Sequence, residues 1–242
     1  MKRIPTVQQN ISSFAQVSVL LRGEQGTLRD WIGRIEARKI FLCVAVIVVG
    51  AGLYGAAMGS WRDPMQSLFV AIKFPLIILL TGFGNALLNG MLAPLLGLNI
   101  SFRESFAAIL TSFMVAGAIL GSFSPLVAFL VWNSPPIINA QQTGEYSLIQ
   151  LIHVFVIAFA GVTSNLRLGQ LLRGLGGSAW VARRVLLAWL AGNLFLGSQL
   201  SWILRPFIGS PDLPVEFLRA TAFQGNFYET VFRAAKQLLS FD

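Results

Sequence analysis

Polar side chains that stand inside long apolar runs are the first candidates for chemistry in this sequence. Five of them are singled out: Lys73, Asn85, Asn89, His153 and Asn193. A charged group at membrane depth is a functional candidate by default, because keeping it there costs free energy. The candidate intramembrane polar site is therefore built around Lys73, with the amides and the histidine as possible companions.

Lys73 admits two interpretations. The first is an ion or substrate site. In the second, its long stem carries the ammonium group back to the lipid headgroups from a depth of about 10 Å, at about 1.5 Å per residue. Pro75 removes one backbone donor and frees the carbonyl of Ala71, which is a local partner for the ammonium group.

The amides and the histidine have structural alternatives as well. Asn85 and Asn89 are four residues apart and share one helix face. They and Asn193 predict either hydrogen-bonding links between helices or the lining of a conduction path. His153 is the single histidine, without cysteine or carboxylate neighbours at metal-ligand spacing. It indicates an interface residue rather than a base or a ligand, and no metal site is predicted.

Acidic side chains flank the apolar runs rather than entering them. Glu104 precedes one run, and Glu145, Asp212, Glu216 and Glu229 lie beyond others. Membrane hydrolases and transferases need paired acids, an activated serine or a metal set, and their sequence signatures are absent. The sequence therefore predicts a protein that is not an enzyme and uses no cofactor.

Small residues spaced four apart mark faces on which helices can approach closely. Gly55 and Gly59 form one such pair, and Gly117 and Gly121 form another. Gly192 follows Ala188 at the same spacing. These faces predict helix packing in a tight bundle or an oligomer.

Membrane-spanning helices must position these residues, because the composition excludes a soluble domain. Of the 242 residues, 55% are hydrophobic and 12% are charged, whereas soluble domains carry about 25% charged residues. A span needs about 20 apolar residues, and the candidate runs are 40–59, 66–88, 106–132, 148–164 and 185–204. We expect an all-α, polytopic membrane helix bundle with five transmembrane helices. Pro125 can break the third run into a span and a short surface helix.

Basic residues predict the orientation, because Lys and Arg near span ends stay on the cytoplasmic side. They lie before the first span, between the second and third, and between the fourth and fifth: Lys2, Arg3, Arg22, Arg29, Arg34, Arg38, Lys39, Arg103, Arg167, Arg173, Arg183 and Arg184. The loop after the first span has only Arg62, which Asp63 offsets. The loop 133–146 has none. This predicts a bacterial cytoplasmic (inner) membrane protein with its N-terminus inside and its C-terminus outside. Contact with the lipid bilayer explains the net charge of +8 without a nucleic-acid partner.

Amphipathic segments flank the bundle on both sides. Residues 27–39 begin with the capping residue Thr27 and predict a surface helix before the first span. Residues 226–239 repeat this design after the last span, with Asn226 as the cap and Glu229 three residues later.

The chain that leaves the last span carries its own candidate contacts. Trp202 fits an interfacial belt, the Arg205 guanidinium can hold carbonyls or lipid phosphate, and Tyr228 belongs to the apolar stripe of the final helix. The aromatic content of this tail predicts an ordered cap covered by lipid or protein. The predicted divisions are a cytoplasmic segment, a five-span bundle and an exported cap: 1–39, 40–205 and 206–242.

Several short segments occur in a recognisable order: "GLYGAAMG", "IKFPLIILLTG", "LGLNISFRESFAAIL" and "LGSFSPLVAFL". Over residues 40–205 the chain resembles bacterial members of the Yip (Ypt-interacting) family of five-span membrane proteins. The resemblance implies a cytoplasmic N-terminus, an exported C-terminus and a membrane adaptor without catalysis. The Asp-Leu-Tyr-Gly-Pro motif of the family is absent, so a small-GTPase partner is not implied.

Two classes of function follow from these observations. One is a non-enzymatic integral membrane subunit that anchors or organises a complex with other membrane subunits or with itself. The glycine faces and the amphipathic flanks favour it. The alternative is an oligomeric channel or transporter for a small solute or ion, which the polar residues inside the spans favour.

Overall fold

The computed structural model describes residues 36–98, 100–137, 144–174, 178–209, 213–229 and 232. Five of its helices are long and apolar enough to cross a membrane. They are α1 Ala37–Gly59, α2 Pro64–Leu95, α3 Phe102–Trp132, α4 Glu145–Gly174 and α5 Ala179–Ile203. The predicted fold class, an all-α membrane bundle with five transmembrane helices, is confirmed.

Each predicted span coincides with one helix, but the helices run further than the apolar runs. The fourth span was expected to end at 164, whereas α4 continues to Gly174. The second was expected to end at 88, whereas α2 continues to Leu95. Hydropathy marks only the part of a helix that lies in hydrocarbon, and the backbone bonds of a helix continue into the interface.

The predicted break at Pro125 is wrong, because α3 is continuous to Trp132. Pro75 and Pro94 lie inside α2 in the same way. A proline removes one backbone hydrogen bond from a helix, and packed membrane helices tolerate this loss where neighbouring groups compensate.

Local capping fixes where three of the helices begin. The side chain of Asp63 accepts a hydrogen bond from the Met65 amide, with Pro64 at the first helical position of α2. Ser101 and Glu104 form a reciprocal capping box at the start of α3. Ser178 accepts from the amide of Val181 at the start of α5.

Successive helices run antiparallel. Helices α1, α3 and α5 end where α2 and α4 begin, and we call this the cap end of the bundle. Helix α3 packs against α1, α2 and α4, and α5 packs against α2 and α4. Helices α2, α3, α4 and α5 therefore enclose a space between them. The buried residues of α5 all lie in its first half: Ala182, Val185 and Trp189.

Residues 204–209 and 213–229 fold over the cap end, and we call them the cap. Gln66 on α2, Arg62 on the α1–α2 connection and Tyr146 on α4 each donate a hydrogen bond to a cap carbonyl. The predicted helix over 226–239 falls mostly outside the described residues, of which 227–229 and 232 are helical. The predicted surface helix over 27–39 lies outside them as far as residue 35, and 37–39 belong to α1.

Candidate functional site

Lys73 lies beneath the cap and is fully buried. Its Nζ donates hydrogen bonds to the carbonyl oxygens of Pro206, at 2.9 Å, and Glu216, at 3.5 Å. The same nitrogen lies 5.2 Å from the centroid of the Phe217 ring, within cation–π range. The ammonium group thus joins α2 to two separate stretches of the cap.

The expectation that Lys73 reaches the lipid headgroups is wrong, because the cap covers this end of α2. Gln66, seven residues earlier and so on the same face of α2, repeats the contact. Its Nε2 donates to the carbonyls of Pro206, at 3.0 Å, and Phe207, at 2.6 Å. Sequence reasoning missed Gln66, although its spacing from Lys73 is a signal that both face one partner.

The amides form a connected cluster between α2 and α5. Asn85 Nδ2 donates to the Trp189 carbonyl at 3.2 Å and to Asn193 Oδ1 at 2.6 Å. Asn89 Nδ2 donates to Asn85 Oδ1 at 2.6 Å. Asn85 and Asn89 are buried. The arrangement favours links between helices, because these amides bond to one another instead of following a path through the bundle.

His153 joins α4 to α1. Its Nδ1 lies 2.9 Å from the hydroxyl of Tyr54, and the two rings meet edge to face with centroids 5.7 Å apart. Both residues are buried. This pairing favours the interface interpretation of His153. Tyr54 was missed in the sequence, where it stands between small residues that allow a neighbouring helix to come close.

The predicted glycine faces lie inside the bundle. A Cβ atom on Gly55 would stand 2.5 Å from the Val70 carbonyl oxygen of α2, and one on Gly59 would stand 2.6 Å from the Gln66 carbonyl oxygen. A Cβ on Gly192 would meet the Asn85 side chain. These glycines allow α1 and α5 to approach α2 closely, so the tight-bundle alternative accounts for them.

Gly117 and Gly121 serve the contact between α3 and α1. A Cβ on Gly117 would stand 2.9 Å from Ile47 Cα, and one on Gly121 would stand 2.8 Å from Gly50 Cα. Gly50 itself faces the Gly117 carbonyl. Sequence reasoning missed Gly50, because its partners lie on a different helix and its local spacing does not reveal them.

The four predicted exit and cap residues are all used in fixing the cap. The Arg205 guanidinium stacks 3.7 Å from the Trp202 ring, and Trp202 Nε1 donates to the Gln224 carbonyl at 3.3 Å. Tyr228 contacts α5 through its hydroxyl, which lies 2.8 Å from Ser198 Oγ. The Asn226 side chain accepts from the Glu229 amide at 2.8 Å, which is the geometry of a helix N-cap.

A cavity of about 780 Å³ lies between α2, α3, α4 and α5 and extends under the cap. Tyr146 and Asn165 of α4 both line it, which places its ends about 28 Å apart at 1.5 Å per residue. Its middle is lined by apolar side chains, including Phe113, Leu120 and Ile157. Asn193, from the amide cluster, also reaches it.

Two arginines line the cavity where it meets the cap. Arg205 Nη1 donates to the Trp202 carbonyl at 2.5 Å and Nη2 to the Thr221 carbonyl at 3.1 Å. Burial and the positive charge of Arg219 lower the pKa of Arg205 from its usual value, although arginine stays protonated in proteins. Within the described residues, neither arginine forms an ion pair, and the Arg219 side chain forms no hydrogen bond. Positive charge therefore concentrates at one end of an apolar space.

The described part of the chain contains no group of three or more His, Cys, Asp or Glu side chains that could hold a metal ion. Comparisons with protein-family models, with curated proteins and with solved structures found no match to this chain. The five apolar helices define the class, which is an integral membrane protein that crosses the bilayer several times.

Proposed function

We propose that this chain is a non-enzymatic integral membrane subunit that anchors or organises a complex of membrane proteins. The observation that carries the proposal is the exposed apolar surface of the cap end. Phe223 is 76% exposed and Phe232 is 70% exposed, although neither lies in a transmembrane helix. Exposed apolar patches on such segments mark protein or membrane contact sites.

The rigidity of the bundle supports the same role. Buried polar groups and glycines hold α1, α2, α3 and α5 together, and Lys73 and Gln66 hold the cap to α2. A fixed cap presents its aromatic side chains in one geometry, and a preorganised surface loses less entropy on binding a partner.

The proposed orientation places the cap outside the cytoplasm of a bacterium, in its inner membrane. The described basic residues at the opposite end of the bundle are Arg38, Lys39, Arg103, Arg167, Arg173, Arg183 and Arg184. At the cap end the described arginines are Arg62, Arg205 and Arg219. This bias supports an N-terminus inside and a C-terminus outside.

The proposal is tested by co-purification of the full chain from its native membrane in a mild detergent. We expect the wild-type chain to hold other membrane proteins in a fixed ratio, and a Phe223→Ser, Phe232→Ser double variant to lose them. Leu95→Ser changes an exposed apolar residue at the opposite end and is the matched control. If the double variant and the wild type co-purify with the same membrane proteins in the same amounts, the aromatic side chains of the cap contact lipid only.

A channel or transporter for a small solute or ion is the second candidate, and the cavity favours it. Its volume falls within the range of about 300–1,000 Å³ that is typical of ligand sites. Purified protein in liposomes would test this function through the release of small ions and neutral solutes. Gly161→Phe places a side chain in the cavity, whereas Val162→Phe changes the neighbouring exposed position. A lower solute flux in Gly161→Phe, with the wild-type flux in Val162→Phe, would support transport.

A further inference from the structure

The cavity is elongated. Tyr146 and Asn165, which both line it, lie about 28 Å apart along α4 at about 1.5 Å per residue. The hydrocarbon core of a bilayer is about 30 Å thick, and one acyl chain extends over about half of it. An extended acyl chain therefore fits within the length of this cavity.

The chemistry of the wall varies along its length. Phe74, Phe113, Leu120 and Ile157 line the middle, where a hydrocarbon chain gains contacts with apolar groups. The two charged residues that line the cavity, Arg205 and Arg219, both stand at the cap end. The lining at the cap end combines apolar residues, such as Phe207 and Ile208, with these two cationic groups, whereas the middle is apolar, and this difference along the cavity matches the two parts of an amphiphile.

The guanidinium groups have binding capacity left for an anion. Arg219 is half-buried, and its guanidinium group makes no hydrogen bond within the described residues, while Arg205 is held in place by two carbonyls and the Trp202 ring. Two like charges that lie close together repel each other, and an anion bound between them stabilises both. Arginine binds phosphate through paired hydrogen bonds.

We propose that the cavity is a binding site for an anionic phospholipid, with one acyl chain between α2, α3, α4 and α5 and the phosphate at Arg205 and Arg219. The site does not depend on the proposed subunit role, since it lies inside the bundle and not on the exposed cap surface. A lipid bound there would form part of the wall of the cap end and fill the space that α5 leaves open in its second half.

The test is native mass spectrometry of the full chain in a neutral detergent. The probes are phosphatidylglycerol, phosphatidylcholine with the same acyl chains, and inorganic phosphate. We expect one molecule of phosphatidylglycerol to be retained at least ten-fold more strongly than phosphatidylcholine. Arg219→Gln should weaken the binding of phosphatidylglycerol about ten-fold, because one charge-assisted contact is lost. Arg183→Gln, on an exposed position at the opposite end, is the charge-matched control.

The acyl-chain half of the site has its own pair of variants. A Cβ on Gly161 meets nothing within 4 Å, so Gly161→Phe fills the cavity without a backbone clash and should reduce the retention of both lipids. Val162 is 61% exposed, and Val162→Phe should bind like the wild type. If Gly161→Phe fails to fold, Arg219→Gln still tests the proposal. Arg219 is half-exposed at the cap, so its replacement should leave the fold intact.

Three results would overturn the proposal. Equal retention of the two lipids by the wild type would remove the headgroup role of the arginines. Unchanged phosphatidylglycerol binding in Arg219→Gln would do the same. Displacement of the lipid by millimolar inorganic phosphate would reassign the arginines to a free anion.

Discussion

Single buried side chains link parts of this molecule that are far apart in the chain. Lys73 and Gln66 on α2 hold carbonyls of Pro206 and Phe207, and Tyr54 on α1 meets His153 on α4. Unpaired polar groups are costly in hydrocarbon, so these contacts select one arrangement of the helices. The polar residues inside the spans are therefore structural links first.

Replacing Lys73 tests whether the ammonium group fastens the cap. Lys73→Met keeps the volume and removes a charge that is expensive to bury, so we expect the bundle to assemble normally. The cap loses two hydrogen bonds and a cation–π contact, worth about 1–2 kcal/mol together after desolvation is considered. Tryptic cleavage after Arg219 should then be about 5–30-fold faster, since cleavage follows the population of the open form.

The control for this change is Lys39→Met at the start of α1, which should leave cleavage after Arg219 at the wild-type rate. Equal cleavage of Lys73→Met and the wild-type chain would mean that other contacts hold the cap, and that Lys73 has another role.

The sequence identifies these polar residues but not their partners. Lys73 and Asn85 stand out because their neighbours are apolar, which is a local property. The carbonyls of Pro206 and Glu216 have no local signature, since any backbone carbonyl can accept a hydrogen bond. The path of the cap over α2 decides which ones do.

Whole helices follow from the sequence more directly. Five apolar runs predict five spans, because a backbone in hydrocarbon must satisfy its own hydrogen bonds. Their ends are less predictable, as α4 shows by continuing to Gly174. Glycine spacing predicts close approach but not the partner, and Gly117 packs on α1 whereas Gly55 packs on α2.

The contact between α1 and α3 is tested by adding one methyl group. In Gly117→Ala the new Cβ would stand 2.9 Å from the Cα of Ile47, and a backbone atom cannot rotate away. We expect the free energy of unfolding to fall by about 1–3 kcal/mol, measured by titration from mild detergent into SDS. Gly161→Ala is the matched control, since its Cβ meets open space and alanine favours helix by up to about 1 kcal/mol. Equal stability of the two variants would contradict close packing at Gly117.

The molecule as a whole is asymmetric between its two ends. One end carries most of the described basic residues, and the other carries the cap with its exposed aromatic side chains. The first property supports the proposed orientation, with the N-terminus in the cytoplasm, and the second places an apolar surface at the opposite end of the bundle. The path of the cap over the bundle could not be predicted from the sequence, because contacts to backbone carbonyls leave no periodic signal.

Orientation is tested with single cysteines in a Cys43→Ala background. Asn133 is exposed at the cap end and Ala179 is exposed at the opposite end. In intact cells, an impermeant thiol reagent should label Asn133→Cys at once and Ala179→Cys only after the membrane is opened. Labelling of Ala179→Cys alone in intact cells would reverse the orientation and place the cap in the cytoplasm.

The mass and composition of the native assembly test the proposed subunit role most directly. The full chain is extracted from its own membrane in polymer-bounded discs, and the intact particles are weighed and their proteins identified. We predict a particle in which this chain and at least one other membrane protein occur in a fixed integer ratio. A particle that contains this chain alone, as a monomer or a closed ring, would contradict the role, and a ring would favour the channel instead.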